Sequence, residues 1–141
     1  MSADCPACTG QMSPPAQKIA ELATSVLYLG GDQFFPGYVL LVLRRHATAL
    51  YELEEGERRA HLEEVSRVAE AIARVFPPVK MNYELLGNQV PHIHWHLVPR
   101  LPADPDLRSP IWRLDHQPLA LDPAAARERV ERIRRALRAP A

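Results

Sequence analysis

The hydrophobic positions of the chain group into short runs typical of strands and longer runs with helical periodicity. Residues 25–29 are an apolar run that ends at two glycines, and residues 38–43 are continuously apolar, so both predict strands. Residues 79–86 and 90–99 predict two more, separated by a Gly-Asn turn. The order of these segments predicts an α+β fold, with an antiparallel sheet of about five strands and a long helix on one face.

Two segments predict helices with defined ends. The longer helix stops at Pro77-Pro78 and carries one apolar stripe, so we expect the neighbouring His61 to face solvent. Asp122 followed by Pro123 is typical of a helix start and predicts a C-terminal helix to about residue 137. A short helix is also predicted at residues 17–22. The stripe of the longer helix comprises Leu62, Val65, Ala69, Ile72, Ala73 and Phe76.

Length and charge limit the class of protein. The 141 residues suffice for one domain with its own core. We expect residues 1–100 to form that domain and residues 101–141, a proline-rich segment and the C-terminal helix, to pack on it. The 17 basic and 17 acidic residues give no net attraction to nucleic acid or to an anionic membrane. With no signal-peptide pattern and no apolar run of spanning length, the sequence predicts a cytoplasmic protein.

Alternate residues of the segment 90–99 are histidines, and those between them are large and apolar. Because successive side chains of a strand point to opposite faces, the three imidazoles share one face, about 6–7 Å apart, while the apolar side chains enter the core. A purely structural role is disfavoured, because three buried rings would each need hydrogen-bond partners. The imidazoles belong to His92, His94 and His96.

Two chemistries use imidazoles in this arrangement. Histidines at i and i+2 can bind a catalytic zinc, but no carboxylate lies between Glu84 and Asp104 to complete a two-metal hydrolase site. A histidine nitrogen can instead attack phosphorus while a neighbouring imidazole assists the leaving group. The turn Gly87-Asn88-Gln89 provides donors for phosphate oxygens directly before the histidines. Phosphoryl chemistry uses more of these features than metal catalysis does.

Residues 92–98, His-Ile-His-Trp-His-Leu-Val, resemble the H-φ-H-φ-H-φ-φ signature of the histidine-triad (HIT) superfamily at all seven positions. Residues 36–46 are similar to the family's P-G-H-x-L-V-x-P-K-x-H segment, with Tyr38 in place of its first histidine and Leu43 in place of its second proline. The resemblance runs from about residue 5 to residue 100. It implies a nucleotide hydrolase that acts on a phosphoanhydride or phosphoramidate bond, in a dinucleoside polyphosphate or an adenylate, through a nucleotidyl-histidine. The alternatives are a nucleotidyl transferase or phosphorylase, and a nucleotide-binding module with incidental catalysis.

The resemblance also implies roles for individual residues. His94 would be the nucleophile, and His96 would contact the phosphate and assist the leaving group. Gln89 takes the place of a phosphate-binding serine or threonine, while Gly30 falls where an ungapped alignment puts the ribose-binding carboxylate or amide. The substrate-binding residues implied are Leu29, Asp32, Gln33, Asn82, Asn88 and Gln89.

The two cysteines are three positions apart, a spacing typical of metal binding or redox chemistry in a reducing compartment. Several bacterial members of the superfamily, and the related galactose-1-phosphate uridylyltransferases, hold a structural zinc with two cysteines and two histidines. The resemblance therefore implies a structural zinc, no organic cofactor, and, as is common in the family, a homodimer. We expect His116 to be solvated or packed within the C-terminal segment. The matching zinc ligands are Cys5, Cys8, His46 and His92.

Overall fold

The structure, a computed structural model, describes residues 2–140 apart from the side chain of Ala16. These residues form a five-stranded sheet in the order β1-β2-β3-β5-β4, with every neighbouring pair antiparallel, and two α-helices. The predicted α+β fold is therefore confirmed. The elements are β1 (Lys18–Glu21), β2 (Ser25–Leu29), β3 (Val39–Leu43), α1 (Glu55–Val75), β4 (Lys80–Glu84), β5 (His94–Arg100) and α2 (Pro123–Arg138).

The central strands follow the hydrophobic pattern closely. β3 is buried at all five positions, as expected of a strand covered on both faces. β2 alternates between buried and half-buried positions and pairs with β3 along its whole length. Both helices cover the same face of the sheet. The core between sheet and helices includes Ile19, Leu27, Leu29, Val39, Leu41, Val65, Val68, Ile72, Leu97, Val130 and Ile133.

The prediction of a short helix at residues 17–22 is wrong, because Lys18–Glu21 is the edge strand β1. Ile19 is buried in the core, and β1 pairs with β2. An isolated helix of six residues is too short to be stable in water, whereas a neighbouring strand offers hydrogen bonds at once. The pairing partner thus decides the structure of this segment.

The helix α1 is predicted correctly in place, and Val65, Ala69, Ile72 and Phe76 of its predicted stripe are buried, but its first turns face the sheet differently. Leu62 is 41 % exposed, while His61 is 0 % exposed, so the expectation of a solvent-facing His61 is wrong. The buried face runs through residues 61, 65, 68 and 72, one position earlier than the predicted stripe at its first turn. Glu64 is also buried, and its carboxylate accepts hydrogen bonds from the backbone and the hydroxyl of Thr24, at 2.9 and 2.7 Å. Polar partners from the β1–β2 turn allow two polar residues to face the sheet.

The helix α2 begins as predicted. Asp122 is its N-cap and accepts a hydrogen bond from the backbone of Ala125 at 3.0 Å. Val130 and Ile133 are buried in the core, and Arg134 donates to the carbonyl of Ile19 at 2.8 Å. α2 therefore closes the helical layer over the edge of the sheet. Within residues 2–140, no helix combines the length and apolar character needed to cross a bilayer.

Residues 101–121, here called the crossing segment, pass over the opposite face of the sheet. Arg100 anchors this segment although it is only 2 % exposed. Its guanidinium donates to Asp104 at 2.6 Å, and to the carbonyls of Asp106 and Ser109 at 2.6 and 2.7 Å. A buried guanidinium with this many partners fixes the path of the chain that surrounds it. Ile111 then enters a second core on this face, with Phe35, Tyr38, Leu40, Val42 and Val98.

Candidate active site

The register of β5 divides its side chains as the sequence predicts. His94 lies opposite Val42 of β3, and His96 lies opposite Leu40, so both imidazoles share the face of the second core. Trp95 and Leu97 lie on the other face and pack against the core under the helices. His92 precedes the strand, which begins at His94. The strand thus presents two histidines, not three, on its open face.

One ring nitrogen of His94 is held by the backbone. The carbonyl oxygen of His92 lies 2.6 Å from Nδ1 of His94 and accepts a hydrogen bond from it. The neutral ring therefore carries its hydrogen on Nδ1, which leaves the lone pair of Nε2 free. No described residue is a hydrogen-bond partner of that Nε2. An unprotonated, oriented imidazole nitrogen of this kind is a competent nucleophile.

His96 is held in the opposite tautomer. The hydroxyl of Tyr38 lies 2.5 Å from Nδ1 of His96. Burial raises the pKa of Tyr38, so the phenol keeps its proton. Its hydroxyl has no other partner among the described residues, and we therefore assign it as the donor of the hydrogen bond to that nitrogen. Burial, with a smaller contribution from the neighbouring His94, lowers the pKa of His96 to about 4. At neutral pH the ring is therefore uncharged, with its remaining hydrogen on Nε2 available to an oxygen of a ligand.

Tyr38 reaches His96 because position 30 has no side chain. The Tyr38 ring packs over Gly30, where an added Cβ would lie 2.6 Å from the ring. The backbones of the two residues are also joined, since the Gly30 amide donates to the Tyr38 carbonyl at 2.9 Å. A residue with a side chain at position 30 would displace the tyrosine ring.

A cavity of about 470 Å³ opens in front of the two histidines. One wall is the turn that the sequence predicts as a phosphate-binding loop, including Asn88 and Gln89. Gly87 in that turn has a positive φ of 73°, a conformation that a residue without Cβ adopts without strain. The cavity therefore combines an imidazole with a free Nε2, an uncharged imidazole beside it and a polar loop. It is lined by Met12, Leu86, Gly87, Asn88, Gln89, Val90, His94, His96 and Trp112.

The structure does not bring Leu29 or Gln33 to this cavity. Leu29 is 1 % exposed and belongs to the core under the helices, on the face away from His94. Gln33 is also buried, and its amide is fully engaged with the chain itself: it donates to the carbonyls of Gly30 and Tyr38, both at 2.8 Å. Its oxygen accepts from Arg129 at 2.9 Å. Leu29 and Gln33 therefore make contacts within the protein, and neither lines the cavity.

Asp32 and Asn82 lie on the histidine face but have partners within the chain. Asp32 accepts from Nε2 of His116 at 2.6 Å and from the backbone of Leu119 at 2.9 Å. The Asp32 carboxylate raises the pKa of His116, whose Nδ1 also donates to a backbone carbonyl, so the ring is held as an imidazolium. The oxygen of Asn82 accepts from Arg100 at 2.9 Å. The crossing segment thus occupies Asp32, and the end of β5 occupies the oxygen of Asn82, although the sequence predicts both residues as substrate ligands.

Four predicted metal ligands converge at the N-terminal end of the site. The ligand atoms of Cys5, Cys8, His46 and His92 all lie within 4.8 Å of one another. His92 donates from Nε2 to the carbonyl of Leu43 at 2.7 Å, so its Nδ1 is unprotonated and faces the thiols, 3.5 Å from Sγ of Cys5. A histidine whose distal nitrogen is bound to a carbonyl is the usual arrangement at a metal site. The donor set fits a tetrahedral metal ion.

Comparison with known proteins agrees with this geometry. The sequence model of the HIT domain matches residues 11–103. The chain belongs to the HIT domain family. The crystal structure of a histidine triad protein from Bradyrhizobium japonicum superposes with a TM-score of 0.78 at 31 % identity, covering 85 % of this chain and 89 % of that protein.

Two relatives in this family come from Schizosaccharomyces pombe. Adenosine 5'-monophosphoramidase hnt1 is 30 % identical over 87 residues, which are 61 % of this chain and 65 % of the relative. An asymmetrical bis(5'-nucleosyl)-tetraphosphatase is 29 % identical over 85 residues, 57 % of this chain and 47 % of the relative. The aligned region therefore spans about half to two thirds of these yeast proteins.

Several residues of this HIT domain site escape the sequence reasoning. Trp112 lines the cavity and Glu84 accepts a hydrogen bond from its indole, yet neither belongs to the motif. Glu84 could have been found from the pairing of β4 with β5, which sets it opposite His96. The position of Trp112 depends on the path of the crossing segment, and the prolines of that segment predict only that it is irregular.

Proposed function

We propose that the protein is a nucleotide hydrolase that cleaves a phosphoanhydride or phosphoramidate bond through a nucleotidyl-histidine intermediate on His94. The observation that carries the proposal is the free Nε2 of His94, whose Nδ1 hydrogen is bound to the carbonyl of His92. The family match and the names of the two yeast relatives support the same class of reaction.

In the first step, the lone pair on Nε2 of His94 attacks the α-phosphorus. A P–N bond forms, and the bond from phosphorus to the leaving group breaks, with its electron pair departing on the leaving group. Nε2–H of His96 donates a hydrogen bond to the oxygen that gains charge. Asn88 and Gln89, in the polar wall of the cavity, are placed to donate to the other phosphate oxygens.

In the second step, water attacks the same phosphorus and the P–N bond breaks. The electron pair returns to Nε2 of His94, the new P–O bond gives a nucleoside monophosphate, and the water proton is released to solvent. Dividing one displacement into two in this way lowers the barrier of each.

The state of His96 favours one type of leaving group. Because its pKa is about 4, the ring is uncharged at neutral pH. It can donate a hydrogen bond to the leaving group, but it does not release its remaining proton. A terminal polyphosphate leaves as a stable anion, whereas an amine needs a proton. A phosphoanhydride, as in a dinucleoside polyphosphate, therefore suits this site better than a phosphoramidate.

Trapping the covalent adduct tests the proposal. Protein mixed with a dinucleoside tetraphosphate is quenched in alkaline denaturant, because the P–N bond of the adduct hydrolyses in acid, and its intact mass is measured. We expect an added nucleotidyl group on the wild type and on the control His116→Ala, but none on His94→Ala. Nucleotide binding without adduct or turnover, on either a phosphoanhydride or a phosphoramidate, would instead indicate a binding module.

We propose further that Cys5, Cys8, His46 and His92 hold a structural zinc ion. When bound, zinc would cross-link the N-terminal arm to the loop after β3 and to the start of β5, because its ligands come from these three segments. Both cysteines are free, which suits a reducing compartment such as the cytoplasm. The backbone carbonyl that binds His94 belongs to His92, so a fixed His92 also holds the nucleophile.

Elemental analysis of protein purified without chelator tests the metal site. We expect about one zinc per chain, and loss of that zinc with a lower unfolding temperature in Cys5→Ser/Cys8→Ser. A chelator should lower stability before it affects the chemical step, since the mechanism above uses no metal. Metal-free protein with unchanged stability would contradict the assignment.

We also propose that two copies of the chain associate through β4 and α1. β4 is an edge strand, and Val79 and Tyr83 on or beside it are more than half exposed, while α1 exposes Leu62. Exposed apolar side chains beside an open strand edge are typical of an interface. Light scattering should give the mass of a dimer, and Tyr83→Arg should give a monomer. A monomeric wild type would contradict this proposal.

A further inference from the structure

Trp112 lies beside His94 and His96, although it belongs to the crossing segment and not to their strand. Its ring is 5.0 Å from that of His96 and nearly perpendicular to it. It remains 53 % exposed, on the wall of the cavity. The residue falls outside the segment 11–103 that matches the HIT domain, so the family motif does not account for it.

The surrounding chain holds this indole in place. Its N–H donates to the carboxylate of Glu84, which lies opposite His96 in the sheet. The preceding Ile111 is 5 % exposed and fixed in the second core. Upstream, Arg100 binds the carbonyl of Ser109. A large aromatic side chain whose N–H is bound, whose neighbouring backbone is fixed and whose ring is still exposed offers an ordered surface to a ligand.

The cavity has a polar side and an apolar side. Asn88, Gln89 and the two histidines supply the polar groups that suit a phosphate. The apolar side consists of Met12, Leu86, Val90 and Trp112. A nucleotide has the same division, since a charged phosphate is joined through ribose to a planar aromatic base.

The crossing segment also closes the other place where a nucleoside was expected. His116 binds the carboxylate of Asp32 and packs on the ring of Phe34, with ring centroids 4.4 Å apart. An aromatic group next to the reacting phosphorus must therefore find its surface elsewhere. Trp112 is the exposed aromatic residue that faces the phosphate-binding loop.

We propose that Trp112 forms a stacking subsite for a nucleobase of the substrate, next to the phosphorus that His94 attacks. The inference rests on the proposed nucleotide chemistry and adds to it a preference for substrates whose base can contact Trp112. The base belongs either to the nucleotide that is transferred to His94 or to the one that leaves.

Equilibrium binding of two product-like ligands tests the subsite. We expect the wild type to bind AMP more tightly than ribose 5-phosphate, which lacks the base. If the stacked base belongs to the transferred nucleotide, Trp112→Leu should weaken AMP binding about tenfold and leave ribose 5-phosphate unchanged. Trp112→Phe should restore most of the loss, because phenylalanine also stacks. Leu119→Ala, an exposed apolar residue of the same crossing segment, is the matched control and should change neither affinity.

Steady-state kinetics distinguish the two possible bases. Diadenosine tetraphosphate and adenosine tetraphosphate share the transferred adenylyl group, but only the first has a base on its leaving group. A base on the transferred nucleotide predicts that Trp112→Leu raises the KM of both substrates about tenfold. A base on the leaving group predicts a rise for diadenosine tetraphosphate alone, with AMP binding unchanged.

Unchanged AMP affinity together with unchanged KM values in Trp112→Leu would overturn the subsite. The same loss in Trp112→Phe as in Trp112→Leu would overturn it as well, because it would show that stacking is not what the tryptophan supplies. Failure of the hydrolase proposal would give a different result: neither tetraphosphate would be cleaved, yet the affinity for AMP or for diadenosine tetraphosphate would still depend on Trp112.

Discussion

Buried histidines lie on both faces of the sheet, but only those on the face of the second core keep a ring nitrogen that can contact a ligand. Under the helices, His61 accepts from the indole N–H of Trp95 at 2.9 Å through Nε2. Its Nδ1 lies 3.0 Å from each of two hydroxyls, those of Thr24 and Ser25, and donates to them. Every polar atom of that ring is therefore engaged inside the protein.

On the open face, His94 and His96 each use only Nδ1 for a contact within the described chain. The second nitrogen of each ring remains available to a ligand. Burial lowers the pKa of both His61 and His96, so this property does not separate the two kinds of histidine. The difference that matters is whether the protein leaves one ring nitrogen without a partner.

Replacing His94 or His61 by alanine should give the largest difference between the two faces, in turnover for His94 and in stability for His61. We expect His94→Ala to reduce turnover at least about a thousandfold with little loss of stability, because it removes the nucleophile. His61→Ala should leave the chemistry of folded protein largely intact but lower the free energy of unfolding, because it leaves the buried indole N–H of Trp95 without an acceptor and removes the hydrogen bonds to the hydroxyls of Thr24 and Ser25. Single-turnover rates and urea unfolding measure the two effects.

The comparison fails if His61→Ala, under conditions where it is folded, loses turnover as completely as His94→Ala. His116→Ala serves as the control for loss of a histidine away from the nucleophile, since that ring binds Asp32.

Arg100 extends the comparison to a charged residue on the open face. All the contacts that its guanidinium makes are within the protein, so we expect a structural effect when it is removed. Arg100→Met should lower the free energy of unfolding by about 3–5 kcal/mol, because Asp104 is left buried without its partner. Arg108→Met, at an exposed position of the same segment, should change it by less than about 0.5 kcal/mol. Equal effects of the two substitutions in urea unfolding would contradict this interpretation.

Tyr38 tests whether the tautomer of His96 matters. Tyr38→Phe removes the donor to Nδ1, and we expect kcat to fall about tenfold with little change in KM, in line with the loss of one buried hydrogen bond. The ¹⁵N chemical shifts of the His96 ring should show a mixture of tautomers in place of one. Tyr28→Phe is the matched control on the same face, since Tyr28 packs against the same core. A single unchanged tautomer in Tyr38→Phe would rule out this role.

The smallest expected effect is on the pH dependence of stability. In the folded protein the pKa values of His61 and His96 lie below their ordinary value near 6.5. The unfolded chain therefore binds more protons below that pH, and the free energy of unfolding should fall as the pH drops below about 6.5. Each such group contributes at most about 1.4 kcal/mol per pH unit. Urea unfolding between pH 5 and 8 should show a shallower slope for His61→Gln, and an unaltered slope would contradict the assignment.

The sheet and the catalytic strand could be predicted because their signal is local. The alternation around His94 and Trp95 allows only one division between the two faces, and the continuous run of β3 requires a buried position. The four candidate metal ligands follow from the resemblance, and the fold brings them together although they are up to 87 residues apart in sequence. The positions of Asn88 and Gln89 follow from their place directly before the strand.

Other features depend on contacts that periodicity does not encode. The rotation of α1 is set by polar partners from the β1–β2 turn, which make a buried His61 and Glu64 acceptable. The contacts of Asp32 and Trp112 are set by the crossing segment, whose path depends on Arg100. Prolines predict that such a segment is irregular but not where it runs.

The packing of Tyr38 over Gly30 has a consequence for redesigning this site. A tyrosine at position 38 and a side chain at position 30 exclude each other, since a Cβ there would lie 2.6 Å from the ring. By the resemblance to the wider superfamily, position 30 is also where an ungapped alignment places the carboxylate or amide that holds ribose. A ribose ligand introduced at position 30 would therefore displace the tyrosine ring and take away the partner of His96, so the two positions have to be changed together.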